Sequence, residues 1–307
     1  MIVTRIEEKA MHRTAWIAAV VLGLAIALAA QAAAPAAPKA KPAIKKICDG
    51  APDAEKLGWR LGCQAYTFRR WTFFEAVDRT AALGLKVIEA YPGQRVSKEI
   101  NERFGPGMKP ETVRAVKGKL KSAGVKLVCY GVTGIPGNED GARKFFQWCK
   151  MMGVETIVTE SNPKFLDKLC GEFKMNAAFH NHPNSWPPEK VLKACKGKSK
   201  RMGACADTGH WMRRKIVPLE ALKKLKGRII SFHFKDLSEF GRGHDVPWGT
   251  GKGDVKAQLA ELKAQRFKGV FSMEYEHSFT MEDLAQCVRH FNQCAKELAA
   301  ADKAKAK

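Results

Sequence analysis

Acidic residues are scarce in this chain of 307: Asp and Glu number 31 against 53 Lys and Arg, a formal net charge of +22. A surplus of that sign favours encounter with anionic partners such as nucleic acid, lipid headgroups, acidic polysaccharide or sugar phosphates, and says nothing of fold. Glycine (26) and proline (14) make up only about 13% of the chain, which excludes collagen-like and low-complexity character and leaves them as punctuation between elements. At 45% hydrophobic and 27% charged, the sequence is too apolar for a disordered protein. No CxxC pair occurs among the nine scattered cysteines, so no zinc knuckle is present and no disulfide framework is evident. Cys63, Cys129 and Cys205 fall in apolar, strand-like runs, where a thiol behaves as a small hydrophobe. Cys48, outside the core segments, is the candidate for a bridge, with no partner assigned.

Long apolar runs are also lacking, with one exception near the N-terminus. Arg5, Lys9 and Arg13 precede an uncharged stretch from Ala15 to Ala30 that ends in Ala-Gln-Ala-Ala-Ala, the pattern of a secretory signal peptide over residues 1–33. At about 16 residues the stretch falls just short of a membrane span, and an uncleaved anchor is the alternative. Residues 34–55 open with Ala, Pro and Lys and read as a basic tether, residues 56–299 as a single folded domain, and 300–307 as a basic tail. The chain is therefore expected to be exported, periplasmic or secreted. Lysines in the tether (Lys39, Lys41, Lys45, Lys46) and in the tail (Lys303, Lys305, Lys307) suit weak association with an anionic envelope surface; simple solvation of both ends is the plainer account.

In the folded part, short apolar runs alternate with amphipathic ones. Strands are expected over Leu61–Phe68, Lys86–Pro92, Val125–Val132, Glu155–Glu160, Asn176–Pro183, Arg201–His210, Ile229–Asp236 and Gly269–His277. Helices are expected over Thr72–Leu83, Pro110–Ala123, Glu139–Met152, Lys164–Phe173, Pro188–Lys196, Pro218–Leu225, Val255–Gln265 and Met281–Ala299. Strict alternation implies right-handed crossovers and a parallel sheet, and eight strands suggest closure into an α/β (β/α)8 TIM barrel. A doubly wound open sheet is the rival, but the first strand is followed by no glycine-rich phosphate loop.

In such a barrel the chemistry gathers at the C-terminal ends of the strands. There the sequence places Glu89, Glu160, His180-Asn181-His182, Asp207-Thr208-Gly209-His210, His233-Phe234-Lys235-Asp236 and Glu274-Tyr275-Glu276-His277. Carboxylates and imidazoles converging from successive strands suit a divalent ion of the Mn, Mg, Co or Zn type. Taken singly, an Asp before Thr-Gly-His also reads as a helix cap and a strand histidine as a satisfied core group. Together they are costly to desolvate without a ligand.

The order Ala-Phe-His-Asn-His-Pro, Ala-Asp-Thr-Gly-His, Phe-His-Phe-Lys-Asp and Ser-Met-Glu-Tyr-Glu resembles the sugar phosphate isomerase/epimerase superfamily of xylose isomerase-like barrels. The resemblance implies Asp207, His233 and Glu274 as metal ligands. The fourth is open: such epimerases use a glutamate where this chain has His180, so either His180 binds the ion or Glu160 supplies the carboxylate, the reading favoured here with His180 close to or on the metal. The implied chemistry is proton abstraction beside a carbonyl through an enediolate. His180 or His182 is the candidate base, and Glu274 is implied as acid/base partner as well as ligand. Lys235 is a candidate to polarise a substrate oxygen, or else an ion-pair partner of Asp236 or Glu276. His210, Glu89 and Glu276 are candidate substrate contacts, and Trp186, Trp211 and Trp248 are candidate sugar-stacking faces, burial being the alternative.

These readings lead to a metal-dependent isomerase or epimerase acting on an unphosphorylated sugar or keto-sugar. A lyase or dehydratase on keto-sugars, 3-keto-glycosides or inososes shares the enediolate. A non-catalytic envelope carbohydrate-binding barrel is the third reading. Nucleic acid is not expected as a partner, because strands two and three end without histidine and the leader takes the chain away from DNA. A homo-oligomer is compatible with the sequence, though no residue marks an interface.

Overall fold

The computed structural model describes residues 45–305. The segment read as a signal peptide (residues 1–33), residues 34–44 of the expected tether and residues 306–307 of the expected tail lie outside the described residues. Eight parallel strands, β1 (Trp59–Gln64), β2 (Val87–Ala90), β3 (Lys126–Thr133), β4 (Thr156–Thr159), β5 (Asn176–His180), β6 (Met202–Asp207), β7 (Ile229–Phe234) and β8 (Gly269–Met273), close in sequence order, with β1 paired to β8. This is the expected TIM barrel.

The strands read as near-continuous apolar runs because helices cover one face and the barrel interior the other. Helix boundaries follow local chemistry. Thr72 accepts from the Glu75 amide while the Glu75 carboxylate accepts from Thr72 N–H, a capping box that starts the helix Phe73–Ala82. Pro110 begins the helix Pro110–Ala123, and Gly124, at φ 66°, ends it in the left-handed conformation that glycine adopts without strain.

Three findings differ from the sequence reading. The folded body begins before residue 56, since Ile47 N–H donates to the Ala82 carbonyl and the short helix Pro52–Lys56 packs on the last helix, Met281–Lys305. That last helix also runs on into the segment read as a basic tail. Cys48, the candidate for a bridge, is a free thiol that donates to the Leu83 carbonyl, and the other eight cysteines are free and buried.

Inside the barrel, Val87, Ala178, Cys205 and Val270 belong to a small apolar cluster. Side chains two apart on a strand share a face, so Val87, Ala178 and Cys205 floor the positions of Glu89, His180 and Asp207. Small residues at this level leave depth for the polar groups above them.

Candidate metal centre

Four strands deliver the central group. His180 ends β5, Asp207 ends β6, His233 lies on β7 beside Asp207 in register, and Glu274 follows β8. One ligand atom from each lies within 4.8 Å of the others, and all four side chains are buried. His180 Nε2 is 3.4 Å from Asp207 Oδ2, and His233 Nδ1 is 3.2 Å from Glu274 Oε2.

Neighbours fix how each donor faces. Asp207 caps the helix Thr208–Arg213 by accepting the His210 amide on Oδ1 at 2.7 Å, which leaves Oδ2 for the cluster. The Asn181 side chain bonds the Asp207 amide and carbonyl at 2.8 and 2.9 Å. His233 Nε2 meets Glu89 Oε1 at 2.9 Å, and Glu89 is held by Gln64 Nε2 and Ser272 Oγ. A histidine whose far nitrogen rests on a carboxylate is the usual support of a metal ligand. Glu89, a candidate substrate contact from the sequence, is thus a buried residue that orients His233.

The donor set fits a divalent cation on two counts. Both nitrogens of His180 and Nδ1 of His233 are buried without a hydrogen-bond partner, a cost that coordination removes. Two carboxylates with two imidazoles also suit a Mn, Mg, Co or Zn ion. Lys235 shares these carboxylates: its ammonium lies 2.6 Å from Asp207 Oδ2, also pairs with Glu274, and is 3.5 Å from Glu276. Burial disfavours its charge, but Asp207, Glu274 and Glu276 together raise its pKa well above the ordinary lysine value. Conversely, Asp207 and Glu274 are held below the usual carboxylate range; burial opposes this and is outweighed for Asp207 by His210 and Lys235, and for Glu274 by Lys235 and His233.

Above the cluster opens a cavity of about 310 Å³ lined by His180, His182, His210, Glu274, Glu276 and the tyrosines 66 and 91, among others. Glu160, favoured from the sequence as a ligand, stands outside the four-residue group: it pairs with His182 Nδ1 and lies 3.8 Å from His180 Nδ1. Ser185 Oγ and Trp186 Nε1 tie its side chain and carbonyl. Contacts with His180, His182 and Ser185, against the pull of burial, bring the Glu160 carboxyl down to about 2. Burial lowers His210 to about 4, with Lys235 and Arg213 adding to the effect and Asp207 opposing it.

Other candidates are placed differently from the sequence reading. Lys235 is fully buried and lines neither cavity at the mouth, so it reaches the carboxylates and not the substrate space. Asp236, considered as its partner, instead accepts the amides of Gly249, Gly251 and Gly253 and fastens the loop after β7. Trp248 is buried against Phe234 and Phe291 and offers no stacking face. Trp186 is likewise covered and stacks on Phe179. Trp211, largely buried, lines a second cavity of about 200 Å³ that shares His182 and His210 with the first. Glu276 does line the main cavity and pairs with Arg213 at 2.9 Å. The sequence reading missed Tyr66, Tyr91, Gln64 and Arg213. An aromatic residue near a strand end was the available signal for the tyrosines; nothing local marks the other two.

A family described as xylose isomerase-like TIM barrel matches residues 77–294. Among solved structures, an uncharacterised protein from Parabacteroides distasonis is 31% identical, with 77% of this chain and 99% of that chain covered at a TM-score of 0.64. An L-ribulose 3-epimerase is 13% identical over 81% of this chain and 98% of its own, TM-score 0.59. The probable 3-DHS dehydratase AsbF from Bacillus anthracis is 14% identical over 75% and 97%, TM-score 0.56. At such identities the last two share the fold with this chain. No curated protein sequence matches the chain.

Proposed function

Because the chain belongs to the xylose isomerase-like TIM barrel family, we propose that it is a metal-dependent isomerase or epimerase that moves a proton beside the carbonyl of a sugar or keto-sugar. The observation that carries this reading is the convergence of His180, Asp207, His233 and Glu274 beside a cavity that His180 and Glu274 line together with His182, whose Nδ1 meets Glu160. These four residues would hold a divalent cation, which would supply Lewis acidity beside a bound carbonyl. Glu160 stays ionised and accepts from His182 Nδ1, so the other nitrogen of His182 is free to take a proton from the carbon beside the carbonyl and return it. Among the described residues no lysine or arginine lines this cavity, which favours an uncharged sugar over a sugar phosphate. The leader in the sequence supports the same choice, since export separates the chain from phosphorylated metabolites.

A lyase reading is favoured by one observation. A second cavity shares His182 and His210 with the first, which provides room for a departing group when the same enediolate eliminates instead of being reprotonated.

The test is incubation of the protein in deuterium oxide with a panel of keto-sugars and 3-keto-glycosides, with and without chelator. The proposal predicts metal-dependent deuterium at a carbon beside the carbonyl, and the products separate isomerisation from elimination. Absence of exchange across the panel with metal bound rules against proton transfer and leaves a binding barrel.

A further inference from the structure

We propose that Arg213 and Glu160 impose opposite tautomers on the two histidines facing the cavity, so that His182 presents a lone pair and His210 an N–H to bound substrate. Arg213 Nη1 lies 3.1 Å from His210 Nδ1. A guanidinium has donors and no acceptor, so Nδ1 accepts and the ring proton of neutral His210 sits on Nε2. Arg213 is itself anchored, through Nη1 to Glu276 Oε2 at 2.9 Å and through Nη2 to Asp245 Oδ2 at 3.4 Å. His210 is fixed from its main chain by Asp207. Its Nε2 lies 3.6 Å from Asp207 Oδ2, too far for a hydrogen bond, and so retains its donor for a ligand.

His182 has the reverse arrangement. Its Nδ1 meets a carboxylate oxygen of Glu160, and an ionised carboxylate only accepts. The proton therefore sits on Nδ1 and the lone pair on Nε2. The two rings, 5.2 Å apart, line the same cavity.

Two consequences follow. His180, His182 and His210 bring ring nitrogens within 4.8 Å of one another, the spacing of a second metal site, yet a protonated Nε2 leaves His210 no lone pair to give. His182 and His210 are therefore a proton-handling pair, and His180 stays with the four-residue group. In the proposed reaction, on which the identity of the oxygen rests, His182 Nε2 takes the proton from carbon and the C–H electron pair forms the carbon–carbon double bond. The carbonyl π pair moves to oxygen, where the His210 N–H meets it; His182 then delivers its proton to the former carbonyl carbon while the proton of the neighbouring hydroxyl passes to the former carbonyl oxygen, which leaves the carbonyl one carbon along. A neutral imidazole acting as donor to a developing oxyanion needs this fixed tautomer. Arg213 and Glu160 are the positioning residues.

The test is ring nitrogen-15 NMR of the full-length, metal-loaded protein labelled at histidine, with signals assigned through His182→Gln and His210→Gln. The expected spectrum has His210 protonated on Nε2 and His182 on Nδ1. Arg213→Met is expected to give mixed tautomers at His210 and to lower kcat by about 10- to 100-fold with little change in KM. Arg213→Lys, which keeps a donor, restores the Nε2–H form, and Asp245→Asn, which loosens the guanidinium without removing it, leaves the tautomer unchanged. Protonation of His210 on Nδ1 in the unmodified protein, or an unchanged tautomer in Arg213→Met, overturns the proposal. If Arg213→Met does not fold, the unmodified protein and Arg213→Lys decide. The spectra read the tautomers whether or not keto-sugars exchange, so failure of the wider functional reading is seen separately.

Discussion

Lys235 directs its ammonium at Asp207 Oδ2 from 2.6 Å inside a fully buried site, so the same oxygen serves an internal cation and faces the ligand cluster. Removing one partner of a buried pair leaves an uncompensated charge, at a cost of about 3–5 kcal/mol. Lys235→Met is therefore expected to destabilise the metal-free protein by roughly that amount and to gain more from added Mn than the unmodified chain does. Thermal unfolding with and without metal measures this. Equal metal-induced gains in both proteins contradict the sharing of Asp207.

The two histidines of His-Asn-His separate by role. His180→Gln removes a member of the four-residue group and is expected to weaken metal binding by at least about 10-fold. His182→Gln is expected to keep the ion and to lose deuterium exchange by about 100-fold or more. Elemental analysis and exchange rates on the two variants decide, and the reverse pattern makes His182 the ligand.

Acid lability follows from His210. Its pKa in the fold, about 4, lies below the ordinary 6.5, so the unfolded chain takes up this proton more readily. The stabilisation from the neutral ring is complete above about pH 6.5 and lost as the pH falls towards about 4, to a limit of about 3 kcal/mol. Urea unfolding across that window is expected to show a smaller fall in stability for His210→Gln than for the unmodified chain. Parallel curves for the two proteins remove His210 from the account.

Much of this was legible in the sequence. The barrel follows from eight apolar runs alternating with helical ones, and the helices Pro110–Ala123 and Glu139–Met152 have the expected limits because proline, asparagine and glycine mark them. The strand pattern put Asp207, His233 and Glu274 at the mouth, where the structure has them, whereas their reading as ligands came from the resemblance alone. Glu160 was harder to place: like Glu274 it lies one residue past the end of its strand, but its bonds to His182 and Ser185, which only the fold reveals, go with a place outside the four-residue group. Trp248 shows the same limit, since a loop tryptophan looks alike in sequence whether it stacks on sugar or fills the gap between Phe234 and Phe291. Arg213 acts only through tertiary contacts with His210, Glu276 and Asp245, and no motif announces it.

The most direct measurement is the metal content of the purified full-length chain beside its Asp207→Ala variant, with folding of both verified by circular dichroism. The account predicts one tightly held divalent ion per chain and its loss in the variant. Equal metal content in two folded proteins, or none in the unmodified chain after loading with Mn, Mg, Co or Zn, contradicts it.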